Sequence, residues 1–388
     1  MTVGIIGSGA MGTGIAQVAA TAGESVILFD ARKTALERAK SNLDSTLKKL
    51  AEKGKISGDE AKNIFSRVRF ASDLNDFKNC ELIVEAVVED LEVKQNLFSQ
   101  LEKIVSADCV LGTNTSSLSI TSIASVCQKS GRVIGIHFFN PAAIMPLVEI
   151  VKGIATESSA EKNIKSKIES WKKVPVLAKD TPGFIVNRVA RPFYGEAIRI
   201  YEEGIADIPT IDEAMRDGGF KMGPFELMDF IGNDVNYTVT ETVWKQFFHD
   251  PKYKPSLTQK RMVEANLLGR KTGRGYYNYE QPQTSNLKPQ TSDHKPQTFK
   301  SVIFNRILAM LINEAADALY LGIATKEDLD LAMTKGVNYP KGLLKWAEEI
   351  GIEKVFAEME KLYSEYCEDR YRPSILLRKM VNEKKNLF

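Results

Sequence analysis

Cysteine and histidine are scarce in this chain of 388 residues. The four cysteines are scattered and include no CxxC pair: Cys80, Cys109, Cys127 and Cys367. This spacing argues against a disulfide framework and against a zinc site, and we expect no metal. Because the chain has only three histidines (His137, His249 and His294), proton transfer by an imidazole has few candidates.

The chain also lacks a large excess of charge of one sign and has no long apolar run. The net charge of +2 gives no reason to expect a nucleic-acid or membrane partner. No apolar run is long enough to cross a membrane, and no signal peptide is visible at the start, so we expect a cytoplasmic location. The length predicts two or three domains.

Short apolar runs alternate with amphipathic stretches in the first part of the chain. This alternation predicts βαβ units and a mainly parallel sheet, that is, an α/β Rossmann domain over residues 1–182. A helix is predicted from Thr34 to Lys53. The predicted strands are Val3–Ile6, Ser25–Phe29, Leu82–Ala86, Val110–Gly112, Val133–His137 and Leu147–Ile150.

Helical periodicities dominate after the Pro- and Gly-containing boundary at residues 180–183. We predict an all-α substrate domain over residues 183–280 and a polar linker over residues 281–298. In this linker Pro-Gln-Thr begins three times, at Pro282, Pro289 and Pro296.

Residues 299–388 are predicted to be a second all-α domain, duplicated from the first in degenerate form. Phe184–Arg188 matches Val302–Arg306, and further matches keep the same offset of 118. Chance similarity between two helices is the alternative. The further matched pairs are Glu196/Glu314, Asp212/Asp330, Ala214/Ala332, Met215/Met333 and Gly218/Gly336.

The first strand runs into a glycine-rich turn that opens a helix, and the second strand ends at Asp30. Gly7, Gly9 and Gly12 permit a tight turn, close approach of a pyrophosphate, and close packing of helix on strand. Ala10 and Met11 complete the loop. Asp30 favours NAD over NADP. Arg32 weakens this preference, because a nearby arginine could bind the 2′-phosphate of NADP. A turn that binds no ligand is the alternative.

His137 follows an apolar strand, where the carboxyl edge of a parallel sheet forms its ligand crevice. It is a candidate general base for oxidation of an alcohol. Glu149 stands in another apolar run, where a carboxylate is costly unless it is paired. A strand returning beside His137 would let Glu149 accept the second imidazole N–H. A core histidine and a solvent-facing Glu149 on an edge strand are the alternatives.

Two polar positions complete this predicted site. Asn114–Ser117 follows a strand, and its hydroxyl groups could hold a substrate oxygen; alternatively, one of the four residues caps the next helix. Asn187 lies in the first helix after the domain boundary. It could reach substrate or nicotinamide, or it could simply be a solvated helix residue.

Together these residues resemble the 3-hydroxyacyl-CoA dehydrogenase family over about residues 1–280, with the duplicated tail in addition. Eight motifs occur in order, so the resemblance is far more specific than the glycine turn alone. They are GSGAMG (7–12), VVEDLEVK (87–94), NTSS (114–117), HFFNP (137–141), LVEI (147–150), DTPGFIVNR (180–188), GPFELMDFIG (223–232) and GRKTGRGYYNY (269–279).

The resemblance implies reversible oxidation of (S)-3-hydroxyacyl-CoA to 3-oxoacyl-CoA with NAD, as in fatty-acid β-oxidation. It implies His137 as general base, Glu149 as its partner, and Ser116 and Asn187 as residues that hold oxygens and cofactor. It matches Glu89, Lys94, Asn140 and Lys271 to NAD contacts. It also matches Thr46 and Lys53 to CoA contacts, on a lysine-rich helical face (Lys48, Lys49, Lys53 and Lys55) that could equally be a solvated surface.

Two alternatives to the function implied by the resemblance and two open points accompany it. The chain could be another NAD-linked dehydrogenase for a small hydroxy acid, or it could serve a structural role, since lens λ-crystallin resembles this family. The acyl chain length and the pathway stay open. The tail is predicted to be non-catalytic and to form an internal pseudo-dimer through the helix Val302–Leu321, although a homodimer is the other possibility. Its predicted contact face comprises Ile303, Ile307, Met310, Leu311, Ala315 and Leu319.

Overall fold

The computed structural model describes residues 1–280, residues 297–385 and Leu387. It forms two compact units, Met1–Phe184 and Ile185–Phe388. Residues 281–296 of the predicted linker, which contain the first two Pro-Gln-Thr repeats and the start of the third, lie outside the described residues. The linker was predicted to extend to residue 298, which is wrong at its end because a helix already begins at Gln297.

The first unit contains a sheet of eight strands in the order β3-β2-β1-β4-β5-β6-β7-β8. All neighbouring strands are parallel except β6 and β7, which are antiparallel. The mainly parallel sheet is therefore confirmed. The strands are β1 Thr2–Ile6, β2 Ser25–Phe29, β3 Val68–Ala71, β4 Leu82–Glu85, β5 Val110–Thr113, β6 Val133–Phe138, β7 Leu147–Lys152 and β8 Val174–Lys179.

Two strands, β3 and β8, were not predicted from the sequence. β3 has only four residues, and its exposed Arg69 interrupts the apolar run. β8 contains Pro175, which argues against a strand in the middle of a sheet but is tolerated at an edge. In the observed sheet β3 and β8 are the two outermost strands.

Six helices accompany this sheet along the chain of the first unit. They are α1 Ala10–Thr21, α2 Lys33–Glu52, α3 Gly58–Ser66, α4 Leu91–Ile104, α5 Ile120–Ala124 and α6 Ser158–Ser170. α2 buries one face, formed by Ala35, Ala39, Leu43 and Leu47 at helical spacing. Ala39, Leu43 and Leu47 belong to the same core as Val3, Ile5 and Leu28 of the central strands. The opposite, charged face of α2 stays in solvent.

The named elements among the described residues of the second unit are all helices. Its first part contains α7 Val186–Val189, α8 Arg191–Glu202, α9 Ile208–Asp217, α10 Pro224–Ile231, α11 Asn233–Gln246 and α12 Leu257–Glu264. Its second part contains α13 Gln297–Tyr320, α14 Lys326–Gly336, α15 Leu343–Ile350, α16 Ile352–Tyr366 and α17 Ile375–Glu383. Both stretches predicted as separate domains thus fall into one compact unit.

α13 packs on α8, α9, α15, α16 and α17. The sequence predicted one apolar contact face on this helix, and five of its six residues are buried while Leu319 is half-buried. Arg306, Ala309 and Asn313 on the opposite side are buried as well, so the helix buries more than the predicted face. A helix buried all round lies in a core rather than on a surface. No helix among the described residues is long and apolar enough to cross a membrane.

Candidate active site

The turn between β1 and α1 has the geometry of a phosphate-binding loop. Gly7 has a φ of +99°, which disfavours any residue with a side chain. A Cβ on Gly12 would lie 1.8 Å from the carbonyl oxygen of Gly7, whereas a Cβ on Gly9 would meet nothing within 4 Å. α1 begins directly afterwards, so Ala10 and Met11 present free N–H groups at its positive end. The open space over Gly9 fits a dinucleotide pyrophosphate.

Asp30 follows β2 at the same edge of the sheet. Its Oδ2 accepts hydrogen bonds from the backbone N–H (2.8 Å) and the hydroxyl (2.9 Å) of Ser8, and its Oδ1 accepts one from the N–H of Arg32. Partial burial would raise the pKa of Asp30, but these hydrogen bonds outweigh it and hold the pKa below its usual range. A fixed, ionised carboxylate can accept ribose hydroxyls and repels a 2′-phosphate. The side chain of Arg32 is 75% exposed, so it points largely into solvent.

A pocket of about 840 Å³ connects the glycine turn with α2 and with the loop that follows β6. Thr46, which the resemblance matches to a CoA contact, lines this pocket, and so does Asn140. The predicted helical lysine face is wrong in part, because α2 ends at Glu52 and both Lys53 and Lys55 lie beyond it. Lys55, rather than Lys53, lines the pocket.

His137 and Glu149 are directly opposite each other in the antiparallel pair of β6 and β7. Opposed residues project their side chains on the same face of a sheet, and the Nδ1 of His137 lies 2.7 Å from Oε2 of Glu149. His137 is 6% exposed and Glu149 is fully buried. The rings of Phe139 and Phe184 pack on the imidazole, with centroids 4.5 Å and 5.8 Å away. The structure therefore fixes both the position and the hydrogen-bonded side of the imidazole.

The sheet order excludes one alternative for this pair. β7 has a strand on either side, so Glu149 does not lie on an edge strand facing water. His137 stands near the end of β6, at the edge where β1, β4 and β5 also end. This edge carries the glycine turn, so the histidine lies on the side of the sheet where a dinucleotide would bind.

The loop after β5 is organised by Glu89. The Oε1 of this carboxylate accepts hydrogen bonds from the hydroxyl of Thr115 (2.6 Å) and from the N–H groups of Ser116 (2.9 Å) and Ser117 (3.2 Å). The expectation that one of residues 114–117 caps the next helix is wrong, because the N-cap of α5 is Ser119. Ser116 is thus held by a carboxylate in a loop at the sheet edge.

Lys94, matched by resemblance to an NAD contact, has its ammonium group between two carboxylates. Its Nζ lies 2.6 Å from Oε1 of Glu85 and 3.3 Å from Oε2 of Glu89, and its side chain is 1% exposed. Burial would raise the pKa of Glu89, but Lys94 and the loop hydrogen bonds outweigh it and lower that pKa. Glu89 therefore stays ionised and can hold the loop.

Sequence reasoning missed Glu85, the buried anchor of this network. Glu85 ends β4 and also accepts hydrogen bonds from the hydroxyl of Thr113 (2.7 Å) and the N–H of Val87 (2.7 Å). The sequence did offer a signal for Glu85, the same one that identified Glu149, namely a carboxylate in an apolar run.

Asn114 links the loop after β5 to β6, because its Oδ1 accepts a hydrogen bond from the N–H of Phe138, next to His137.

Two predicted site residues belong to the second unit. Asn187 is half-buried in α7. Lys271 forms an ion pair with Asp234, with an Nζ–Oδ1 distance of 2.5 Å. Their contacts with substrate and NAD stay predictions.

A glycine turn before a helix, an acid after β2, and a histidine–carboxylate pair at the same sheet edge define a dinucleotide-dependent dehydrogenase. The family model "3-hydroxyacyl-CoA dehydrogenase, NAD binding domain" matches residues 2–181. The model for the C-terminal domain of the same family matches residues 183–279 and 302–386. The chain belongs to the 3-hydroxyacyl-CoA dehydrogenase family, and it is an oxidoreductase that uses NAD.

Some known proteins match nearly the whole chain, and others match about 72% of it. The chain is 36% identical to the 3-hydroxyadipyl-CoA dehydrogenase of Escherichia coli K12, over 97% of this chain and 96% of the relative. It is 40% identical to human mitochondrial hydroxyacyl-coenzyme A dehydrogenase, over 72% of this chain and 91% of the relative. A crystal structure of 3-hydroxybutyryl-CoA dehydrogenase from Escherichia coli K12 matches with a TM-score of 0.92 at 36% identity, covering 99% of this chain and 98% of that one.

Proposed function

We propose that His137 is the general base in the oxidation of (S)-3-hydroxyacyl-CoA to 3-oxoacyl-CoA. The observation that carries this proposal is the 2.7 Å contact between His137 Nδ1 and Glu149 Oε2. A carboxylate accepts the Nδ1 hydrogen, which leaves Nε2 to take the proton of the substrate hydroxyl. Bound NAD supplies the hydride acceptor for this oxidation. In the reverse direction His137 returns the proton to the 3-oxo group.

Glu149 acts through His137 in this proposal. It keeps the imidazole in one tautomer and stabilises the imidazolium that forms when the proton arrives. Ser116, held by Glu89, and Asn187 hold the substrate oxygen, and Lys94 keeps Glu89 in place. The pocket lined by the glycine turn, Thr46 and Asn140 would receive the pyrophosphate side of the dinucleotide and part of CoA.

The activity test compares acyl-CoA substrates with free acids. Purified protein with NADH should reduce acetoacetyl-CoA at least 100-fold faster than it reduces free 2- or 3-oxo acids at equal concentration. Two relatives that match along nearly the whole chain are named for a six-carbon dicarboxylic and a four-carbon acyl group, which supports a short acyl substrate here. Equal rates with free acids would contradict the proposal. The cytoplasmic location stays a prediction.

We further propose that the two helical stretches of the second unit are copies of one another that pack as an internal pseudo-dimer. Arg188 of the first stretch pairs with Glu314 of the second (Nε–Oε1 2.6 Å). Arg306 and Glu196 form the same pair in exchanged positions, again at 2.6 Å. Both pairs combine residues that correspond at the constant offset of 118, which is the pattern of a two-fold symmetric contact.

More corresponding residues have the same function in both stretches. Tyr253 donates a hydrogen bond to Glu314, and Tyr371 donates one to Glu196. Ser256 and Ser374 cap α12 and α17. The family model for the C-terminal domain also matches one segment in each stretch.

Truncation tests the pseudo-dimer. A fragment of residues 1–280 loses the buried partners of Arg188 and Glu196, so it should self-associate or unfold. Light scattering and thermal melting measure these outcomes. A monomeric fragment with the melting temperature of the full chain would contradict the proposal.

A further inference from the structure

Arg191 is a buried arginine without a counter-charge. It opens α8 and is 8% exposed, and its guanidinium lies over the ring of Tyr194 at 4.9 Å. One nitrogen, Nη1, donates to the hydroxyl of Thr240 at 3.1 Å. Its Nε has no hydrogen-bond partner, and no carboxylate among the described residues forms an ion pair with it.

This situation is unusual within the unit. The buried guanidinium groups of Arg188 and Arg306 are each paired with a buried glutamate. Burial lowers the pKa of Arg191 because the charged form loses its hydration and gains no anion in exchange. Tyr339, which interacts electrostatically with Arg191, has a buried hydroxyl that also lacks a partner. The Nε of Arg191 and the hydroxyl of Tyr339 are thus two buried polar groups that have no hydrogen-bond partner among the described residues.

Arg191 lies close in sequence to Asn187, which is predicted to contact the substrate. Asn187 lies in α7, and Ala190, with helical φ and ψ, joins α7 to α8. Residues four apart on a helix share one face, about one turn of 5.4 Å from each other. Arg191 therefore stands one turn beyond Asn187 on the same face.

The second stretch shows the shape of this face when the arginine is missing. At the offset of 118, Asn187, Arg191 and Tyr194 correspond to Asn305, Ala309 and Ile312. The latter three residues line a pocket of about 200 Å³ between α13 and the α15–α16 region. An apolar side chain would fill the equivalent space in the first stretch at less cost than an uncompensated charge.

We propose that Arg191 binds the terminal carboxylate of a dicarboxylic 3-hydroxyacyl group and so determines the specificity for that class of substrate. The proposal rests on the proposed function, in which Asn187 contacts the substrate near C3. In a six-carbon diacyl group the terminal carboxylate is three bonds from C3, roughly 4–5 Å, which matches one helical turn. The phosphates of CoA lie much farther from C3, and the pyrophosphate of NAD belongs at the glycine turn. A guanidinium also recognises a carboxylate with paired hydrogen bonds.

The test compares (S)-3-hydroxyadipyl-CoA with (S)-3-hydroxyhexanoyl-CoA, which has the same length but ends in a methyl group. We expect wild-type protein to have a kcat/KM for the diacid at least 10-fold higher. In Arg191→Met the ratio of the two kcat/KM values should fall roughly 10- to 100-fold, mainly through the KM of the diacid. Arg191→Lys keeps the charge but not the planar guanidinium, so its ratio of kcat/KM values should lie between those of the wild type and Arg191→Met.

Stability provides an independent readout. Because the charge of Arg191 has no carboxylate partner, Arg191→Met should melt at or above the temperature of the wild type. Arg188→Met is the matched control on the same helical segment. It leaves Glu314 without its arginine and should melt lower, with the substrate ratio of the wild type.

Three results would overturn the inference. They are a wild-type enzyme that oxidises both substrates equally well, an Arg191→Met variant that loses both activities in equal proportion, and a variant whose KM for NAD rises with either substrate. If the wild type oxidises neither acyl-CoA, the proposed function itself fails. The two failures are thus distinguishable.

Discussion

The ammonium group of Lys173 donates a 2.6 Å hydrogen bond to the carbonyl oxygen of Ala142. It donates a second, at 2.8 Å, to the carbonyl of Met145. Burial of this group lowers the pKa of Lys173. The two carbonyls belong to the loop that joins β6, which carries His137, to β7, which carries Glu149. One half-buried cation therefore holds the loop that connects the two residues of the proposed dyad.

Replacing Lys173 with Met should loosen this loop, which also lines the large pocket through Asn140 and Ala142. We expect kcat/KM for acetoacetyl-CoA to fall about 10-fold, mostly through KM, because the loop positions ligands rather than atoms that react. Steady-state kinetics measure this effect. Lys172→Met, at the exposed neighbouring position, is the control. Unchanged kinetic constants combined with a lower melting temperature would assign Lys173 a purely structural function.

Asp30 should determine the choice between NADH and NADPH. Asp30→Ser removes the charge that repels a 2′-phosphate and leaves exposed Arg32 nearby. The KM for NADH should rise roughly 10-fold and the preference over NADPH should fall at least as much, since a lost charged hydrogen bond costs about 1.5–3 kcal/mol. Kinetics with both coenzymes measure the ratio. An unchanged ratio would mean that another residue discriminates.

Glu314→Gln should destabilise the second unit. The carboxylate of Glu314 is buried, and it pairs with Arg188 and with Lys252. Removing one partner of a buried ion pair leaves charges uncompensated, and the expected loss is about 3–5 kcal/mol in the free energy of unfolding. Glu196→Gln, at the corresponding position, should cost a similar amount. Urea unfolding measures both, and a loss in only one of the two variants would contradict the proposed two-fold contact.

Asp212 should make stability depend on pH. Burial raises the pKa of Asp212 to about 7, although hydrogen bonds from Tyr277 and the backbone oppose this. Because the folded value exceeds the unfolded value of about 3.9, the folded state holds the proton more tightly. This contribution is complete below about pH 4 and is lost as the pH rises through 7.

The measurement is the free energy of unfolding of wild type and Asp212→Asn between pH 4 and 8. The wild type should lose up to about 4 kcal/mol relative to the variant over this range. Asp330→Asn is the matched control, because Asp330 also accepts two backbone N–H groups but is only half-buried. Asp330→Asn should change the pH dependence of the free energy of unfolding less than Asp212→Asn does. Parallel pH profiles for wild type and Asp212→Asn would contradict this account.

The sequence predicted site residues correctly as neighbours where a charged residue interrupts an apolar pattern. Glu149 is conspicuous in an apolar run, and the observed strand places it opposite His137. β8 was missed because Pro175 argues against a strand, and only the edge position tolerates it. Glu85 and Lys94 illustrate another limit. Their pairing joins the end of one strand to the next helix, and periodicity does not reveal which charged residues a fold buries together.

Arg191 illustrates the same limit in the second unit. An arginine near the start of a helix has no special appearance in a sequence. Its interest arises only because the fold buries it and provides no anion.

The rate of acetoacetyl-CoA reduction by His137→Gln tests the central claim most directly. Glutamine cannot exchange a proton near neutral pH, so kcat should fall about 10²- to 10⁴-fold, while NADH binding measured by fluorescence stays as in the wild type. The kcat of Glu149→Gln should fall less, because Glu149 acts through the imidazole of His137. If His137→Gln retains more than a tenth of the wild-type kcat, another group is the base and the account is contradicted.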